Sequence, residues 1–325
     1  MSGAVYANYI YLIGGVSPNL VDLKTVRYAK IDNSNNIVAV SGSAWIESPY
    51  QMAVGRRRSA AFGYNGYLYA VGGYEASTGV LADIEFIKIN VSDGSLVSGW
   101  AVSAVQINQR WGLTVPVSNS FAYVIGGCTA GASPGGCTTR TDVIQTFRVY
   151  NNDSGAPAGY STSANTYSNV ANRIGASATM LNGKIYVAGG CTSATDCTAV
   201  TNSVEYASLD TNTGAVGTWS TANTLPAARA WGQLETMGGA LYYLGGQDAS
   251  GNPSSAVYYS SSFSSGNPTW ATSAQTLPAA RRIFGATSWN NRLYVVGGLS
   301  NNTLTTPQSS VYVSSAQPSG GDITS

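Results

Sequence analysis

The sequence predicts an all-β molecule of six similar four-stranded antiparallel sheets, and three observations predict it. A glycine pair closes a short apolar strand six times, at Gly14-Gly15, Gly72-Gly73, Gly126-Gly127, Gly189-Gly190, Gly245-Gly246 and Gly297-Gly298. The intervals between first glycines are 58, 54, 63, 56 and 52 residues, and self-similarity at such spacing marks one supersecondary unit per repeat. An aromatic residue recurs late in five of the units, and no helical period of any length appears.

Each unit reads as four strands in order. The second is the clearest, as in Tyr67-Leu68-Tyr69-Ala70-Val71 or Lys184-Ile185-Tyr186-Val187-Ala188: β-branched and aromatic residues ended by glycine read as a buried strand. A tight-turn pair precedes it in five units (Asn65-Gly66, Ser118-Asn119, Asn182-Gly183, Gly238-Gly239, Asn290-Asn291), and such pairs favour the positive φ of hairpins. The first strand lies upstream of the turn, as in Ala176-Ser177-Ala178-Thr179-Met180. After the glycines and a polar loop comes the third: Val26-Arg27-Tyr28, Ile84-Glu85-Phe86, Val204-Glu205-Tyr206, Val257-Tyr258-Tyr259 and Val311-Tyr312-Val313. A turn rich in Asp, Asn and Gly leads to the fourth, centred on Trp45, Trp100, Tyr160, Trp219 or Trp270. One such sheet cannot bury both faces alone, whereas six arranged radially can, so the predicted fold is a six-bladed β-propeller.

The hydrophobic-Gly-Gly strand, the Val-x-Tyr strand and the later tryptophan together resemble the kelch-repeat family over essentially the whole chain. An arginine stands 16 residues before the first glycine in five repeats, at Arg56, Arg110, Arg173, Arg229 and Arg281. Two of these sit in Leu-Pro-Ala-Ala-Arg, as in the kelch connection between blades.

The reading treats 1–325 as a single domain. The sixth repeat runs into Gln317-Pro318-Ser319-Gly320-Gly321 with no tryptophan, so its last blade reads as incomplete. Either Asp322 to Ser325 begin the missing strand or the chain is an excerpt of a longer one, and the excerpt is the favoured expectation.

Charged residues make up 10% and the net charge is +1, which leaves no footprint for nucleic acid or an anionic membrane. No apolar stretch approaches the roughly 20 residues that span a bilayer. The first residues carry no basic segment or long apolar core, so no signal peptide is read in this sequence. Cys128 and Cys137 flank one loop, and Cys191 and Cys197 the equivalent loop of the next repeat. Local disulfides Cys128–Cys137 and Cys191–Cys197 in an oxidising compartment fit this pattern. A four-thiolate zinc site across both loops competes with them, although its spacings are unusual, and free thiols are the third reading. The expectation is a secreted or cell-surface protein with no cofactor and no metal. Asn-x-Ser/Thr sequences at Asn90, Asn152 and Asn301 add little in so Ser/Thr/Asn-rich a chain.

Meander logic places the arginines, the cysteine loops and every long connection on one face, and short turns such as Asn65-Gly66 and Asp93-Gly94 on the other. Variable loops on one face of a rigid scaffold usually carry function. The five repeat arginines are expected as a partial ring near the channel mouth, joined by Arg57, Arg58, Arg282, Trp111 and Trp231. Guanidinium and indole groups recognise carboxylates, sugars and aromatic side chains. The resemblance implies an acidic ligand, since peptide-binding kelch propellers contact such ligands with arginines at this kind of position. The competing role for a repeated arginine is bonding loop carbonyls to hold the blades. In the Arg56-Arg57-Arg58 triple one residue fills the repeat position and two are surplus.

The chain has no histidine, which removes His-dependent triads and imidazole acid/base chemistry. Kelch-type copper oxidases and iron-dependent specifier proteins need histidine ligands, so the resemblance stops short of them. The expected function is a non-catalytic binding or adhesion module that presents loops of one propeller face to a protein, peptide or glycan ligand. The alternative is a carbohydrate-active enzyme, sialidase- or mutarotase-like, acting on an acidic sugar. Acidic residues near the arginine face are few (Glu47, Glu75, Asp83, Asp142, Asp196, Asp248), and no close pair poised for acid/base work is visible. A monomeric domain is expected.

Overall fold

The computed structural model describes residues 1–39, 43–132, 136–149, 154–166, 172–193, 197–303, 307–316 and 321–324. Asn152 and Asp196 lie outside the described residues. Six sheets are each built from consecutive residues, inner strand first. Blade one uses Ser2–Tyr6, Tyr9–Ile13 and Val26–Ile31, with Ile37–Val38 and Ile46–Glu47 sharing the outermost position. Blade two uses Ala60–Tyr64, Tyr67–Val71, Ile84–Ile89 and Leu96–Val102. Blade three uses Val117–Ser118, Phe121–Val124, Gln145–Val149 and Pro157–Thr162. Blade four uses Ser177–Leu181, Lys184–Ala188, Val204–Ser208 and Ser220–Thr221. Blade five uses Gln233–Met237, Ala240–Leu244, Val257–Ser264 and Asn267–Thr272. Blade six uses Gly285–Trp289, Arg292–Val296, Val311–Ala316 and Ile323–Thr324.

The hairpin turns between first and second strands behave as their residues require. Asn65, Asn119, Asn182 and Asn290 all have positive φ, and so does Asn8 in blade one, where no turn pair was read. The second strands are the most buried, with Tyr11, Tyr69, Tyr123, Tyr186, Tyr242 and Tyr294 at 0–1% exposure. These tyrosines fill the seams and in four blades also bond across them. Tyr11 Oη donates to Gly94 O (2.9 Å), Tyr69 to Gly155 O (2.7 Å), Tyr186 to Gly266 O (2.8 Å) and Tyr294 to Asn35 O (2.9 Å). Each acceptor lies in the turn before the next blade's fourth strand. The last bond joins blade six to blade one and closes the ring without any exchange of strands. The inner strands of these two blades also pack glycine on glycine, at Gly3 and Gly285.

The sequence left the fourth strand of blade six open. Ile323–Thr324 supplies it as a two-residue strand, with Ser315 opposite Thr324 and Ala316 opposite Ile323. In other blades the outer aromatic covers a seam: Trp100, Trp219 and Trp270 pack against the cores between blades one and two, three and four, and four and five. Blade six has no such residue, and an apolar cleft of about 290 Å³ remains beside Leu277, Leu293, Val311, Val313 and Ile323.

Candidate functional site: the arginine face and the channel mouth

The spacing of 16 residues between arginine and glycine has a direct cause. Arg56 Nη1 donates to Gly72 O (3.0 Å), Arg110 Nη1 to Gly126 O (3.2 Å) and Arg173 Nη1 to Gly189 O (3.1 Å). The same guanidinium groups reach the start of the third strand, at the residue after Ile84, Ile144 or Val204. Arg56 pairs with Glu85 and with Asp83 (2.8 Å), Arg110 Nη2 donates to Gln145 Oε1 (2.7 Å), and Arg173 pairs with Glu205 (3.1 Å). In blade six Arg281 Nη2 donates to Tyr312 Oη (2.5 Å) and Ser310 Oγ (2.6 Å). Arg56, Arg110 and Arg173 are 0% exposed and Arg281 is 2%. Four of the five repeat arginines therefore lie inside their own blades, where a ring at the mouth was expected. Arg229 is half-buried, and its Nη1 donates to Ala228 O (2.9 Å). Glu85 and Glu205 were the partners that sequence reasoning missed. Each is an acidic residue at the middle position of a Val-x-Tyr type triplet, and that interruption was the available signal.

The next residue in each repeat ties down the loop that follows the glycine pair. Antiparallel bridges join Arg57 to Tyr74, Trp111 to Cys128, Ile174 to Cys191, Ala230 to Gln247 and Arg282 to Leu299. Arg57 is held by Asp22, which accepts from Nε at 2.5 Å and Nη2 at 2.9 Å and also from Ala76 N (2.8 Å). Among the described residues Arg282 bonds to neutral acceptors, Asn301 O (2.8 Å) and Gln247 Oε1 (2.6 Å). Both cysteine pairs form local disulfides, with Cα–Cα distances of 5.8 Å for Cys128–Cys137 and 5.1 Å for Cys191–Cys197. The sulfur atoms are thus joined within each loop rather than shared between loops.

Two residues after each repeat arginine the backbone is left-handed in all five blades: Arg58 (φ 51), Gly112 (φ 66), Gly175 (φ 64), Trp231 (φ 59) and Ile283 (φ 53). Four hydrogen bonds string these positions into a collar. Gly112 N donates to Arg58 O (2.8 Å), Gly175 N to Gly112 O (3.0 Å), Trp231 N to Gly175 O (2.8 Å) and Ile283 N to Trp231 O (2.9 Å). Glycine takes this conformation without cost, and two blades use it. The other three place Arg, Trp and β-branched Ile where side chains are strained. Strain of this kind costs about 1–3 kcal/mol per residue and clusters at ligand clamps and active sites.

The three strained side chains gather over the mouth, beside Gly112 and Gly175. The Trp231 indole lies across those two glycines, where a Cβ on either would collide with it. It is parallel to Trp111, with centroids 6.4 Å apart and planes 8° apart. The Arg58 guanidinium covers both rings, 5.0 Å from Trp111 and 4.4 Å from Trp231. Among the described residues it has no carboxylate partner. Burial, then the charges of Arg282 and Arg57, lower the Arg58 pKa to about 9. The mouth thus carries a cation that is short of water and short of an anion.

Beneath the collar the inner strands enclose a channel of about 430 Å³ with mostly polar walls. Glu235 is the one acidic side chain lining it among the described residues. Loss of water raises its pKa to about 8 from 4.5. The folded state therefore binds this proton more tightly than the unfolded state does. Its contribution to stability is fully present below about pH 4.5 and is lost as pH rises through about 8. Between pH 5 and 9, Glu235→Gln is expected to remove this part of the decline in stability, read as urea midpoints across the range. Parallel declines in both proteins would contradict the assignment.

The Kelch motif matches residues 172–213, in the fourth repeat. No curated protein matches the chain. Among solved structures, that of YjhT superposes with a TM-score of 0.72, covering 100% of this chain and 96% of that one at 14% identity. At that identity the likeness concerns the fold. The chain is thus a six-bladed β-propeller that carries a Kelch motif in its fourth blade.

Proposed function

We propose that this propeller is a non-catalytic binding module that takes an acidic protein, peptide or glycan on the arginine face, with Arg58 as the anchor. Kelch propellers commonly bind protein partners, and the carrying observation is the Arg58 guanidinium held over Trp111 and Trp231 with no anion beside it. A guanidinium positioned on aromatic faces has already given up most of its rotamer freedom, so a carboxylate meets a prepared donor. Trp and Arg are also the residues enriched where binding energy concentrates. Arg282 adds positive charge at the mouth. Arg56, Arg57 and Arg173 serve the scaffold, because their charges already face Glu85 with Asp83, Asp22 and Glu205. That spending of arginine–carboxylate pairs inside the blades supports binding over the sialidase- or mutarotase-like alternative. Two local disulfides are compatible with an extracellular protein, and no helix among the described residues is long and apolar enough to cross a membrane. We place the module outside the cell or on its surface.

The test is a peptide and glycan array probed with the wild type, Arg58→Ala and Arg58→Lys. The expected result is at least a tenfold loss of binding to acidic ligands for Arg58→Ala, and a smaller loss for Arg58→Lys, which keeps the charge but not the planar stack. Unchanged binding by Arg58→Ala in a folded protein would refute the anchor.

A further inference from the structure

The Glu235 carboxyl group is not used by the arginine face. It lies on the inner strand of blade five, directly opposite Tyr242. The same register position, opposite the repeat tyrosine, holds Ala4, Phe62, Thr179 and Thr287 in blades one, two, four and six. A charge at this height is therefore peculiar to one blade. Threonines stand at the matching position of both neighbouring blades, and Thr236 follows in sequence; all three line the same channel. Among the described residues Glu235 has no hydrogen bond and no ion pair, and loss of water is the sole influence on its titration.

We propose that the central channel is a binding site for a primary ammonium group, with Glu235 as its carboxylate. An ammonium has three donors and needs one anion and neutral oxygens around it. One carboxylate among threonine hydroxyls offers that set. A multidentate metal ion would need more, and no group of three or more acidic, cysteine or histidine ligands exists among the described residues. The half-buried Glu235 carboxyl faces the channel with no counter-charge among the described residues, and a cation entering here supplies the partner.

Two other ionisable groups lie near the channel, the Met1 amino group and the Arg58 guanidinium, and both belong to the collar end. Arg58, Trp231 and Ile283 crowd that end. At the other end the turns between first and second strands carry Asn8, Asn65, Asn119, Asn182 and Asn290, which are neutral and polar. Entry of a small amine is assigned to that side. The site is independent of the anionic ligand proposed for the mouth.

Methylammonium chloride is the probe, titrated into the protein by calorimetry at constant ionic strength. Tetramethylammonium, with the same charge and no N–H, is the comparison. The expected result is saturable methylammonium binding, at least tenfold weaker binding of tetramethylammonium, and at least a tenfold loss in Glu235→Gln. Arg58→Ala should leave methylammonium binding unchanged. Because only the ionised carboxylate binds, affinity should rise about tenfold between pH 7 and pH 9 as Glu235 titrates near 8. The absence of saturable binding, equal affinity for tetramethylammonium, or unaltered binding by Glu235→Gln would each overturn the proposal. The tetramethylammonium comparison needs no variant and stands if Glu235→Gln fails to fold.

Discussion

Arg56→Ala is expected to destabilise the fold by about 3–5 kcal/mol, the cost of leaving one member of a buried ion pair without its counter-charge. Arg56 and Glu85 are both 0% exposed, and Asp83 faces the same guanidinium. Glu85 would keep two backbone donors, Ala53 N (2.7 Å) and Val54 N (3.2 Å). These hold the carboxylate in place and do not neutralise it. Removing the acid as well, in Arg56→Ala with Glu85→Ala, should recover part of the loss, because the uncompensated charge disappears with it. Arg110→Ala should cost less, about 1–3 kcal/mol, since the partner there is the neutral Gln145. Urea unfolding followed by tryptophan fluorescence measures all three. Equal costs for Arg56→Ala and Arg110→Ala would contradict the assigned difference between a charged and a neutral acceptor.

Gly94→Ala is the second large effect, at about 2–5 kcal/mol. Its φ of 73 is left-handed, which costs an alanine about 1–2 kcal/mol. An added Cβ would also overlap the Tyr9 ring of the preceding blade, and overpacking of this kind costs about 1–3 kcal/mol. The Gly94 carbonyl meanwhile accepts the Tyr11 hydroxyl at 2.9 Å, so any shift of the turn strains that seam. Gly183→Ala is the control. Its φ is 69, yet nothing lies within 4 Å of the added atom, so only the backbone cost should appear. The difference between the two variants isolates the contact between blades. If both lose the same stability, the turn is not packed against Tyr9 as described.

The strands, the hairpin turns and the blade count were legible because each is written in short-range chemistry. A glycine pair after Tyr-x-Val can be read without knowing its neighbours, and so can Asn65-Gly66. The arginines were legible as a repeat but not as to their side of the structure. Their fixed distance from the first glycine is the reach of one hydrogen bond, but the choice between mouth and blade interior depends on an acceptor some 30 residues later. Glu85 and Gln145 are those acceptors, and a strand read for its apolar residues does not show which way its polar ones face. The surplus in Arg56-Arg57-Arg58 was visible, whereas its division was not. One residue enters a blade, one pairs with Asp22, and one lies on two indoles. Trp111 and Trp231 come from different blades and meet only once the ring is closed. Glu235 escaped notice because nothing local distinguishes a channel-facing position from any other inner-strand residue. The two-residue strand Ile323–Thr324 was too short to carry a pattern of its own.

The central claim is that an arginine and the residue two positions after it have opposite duties, the first holding the blade and the second presented to a ligand. Paired measurements on Arg56→Ala and Arg58→Ala, thermal unfolding beside array binding, test it most directly. The account predicts that Arg58→Ala unfolds within a few degrees of the wild type and loses acidic ligands, while Arg56→Ala shows the large drop in stability. An Arg58→Ala protein that binds as before, or an Arg56→Ala protein as stable as the wild type, would contradict it.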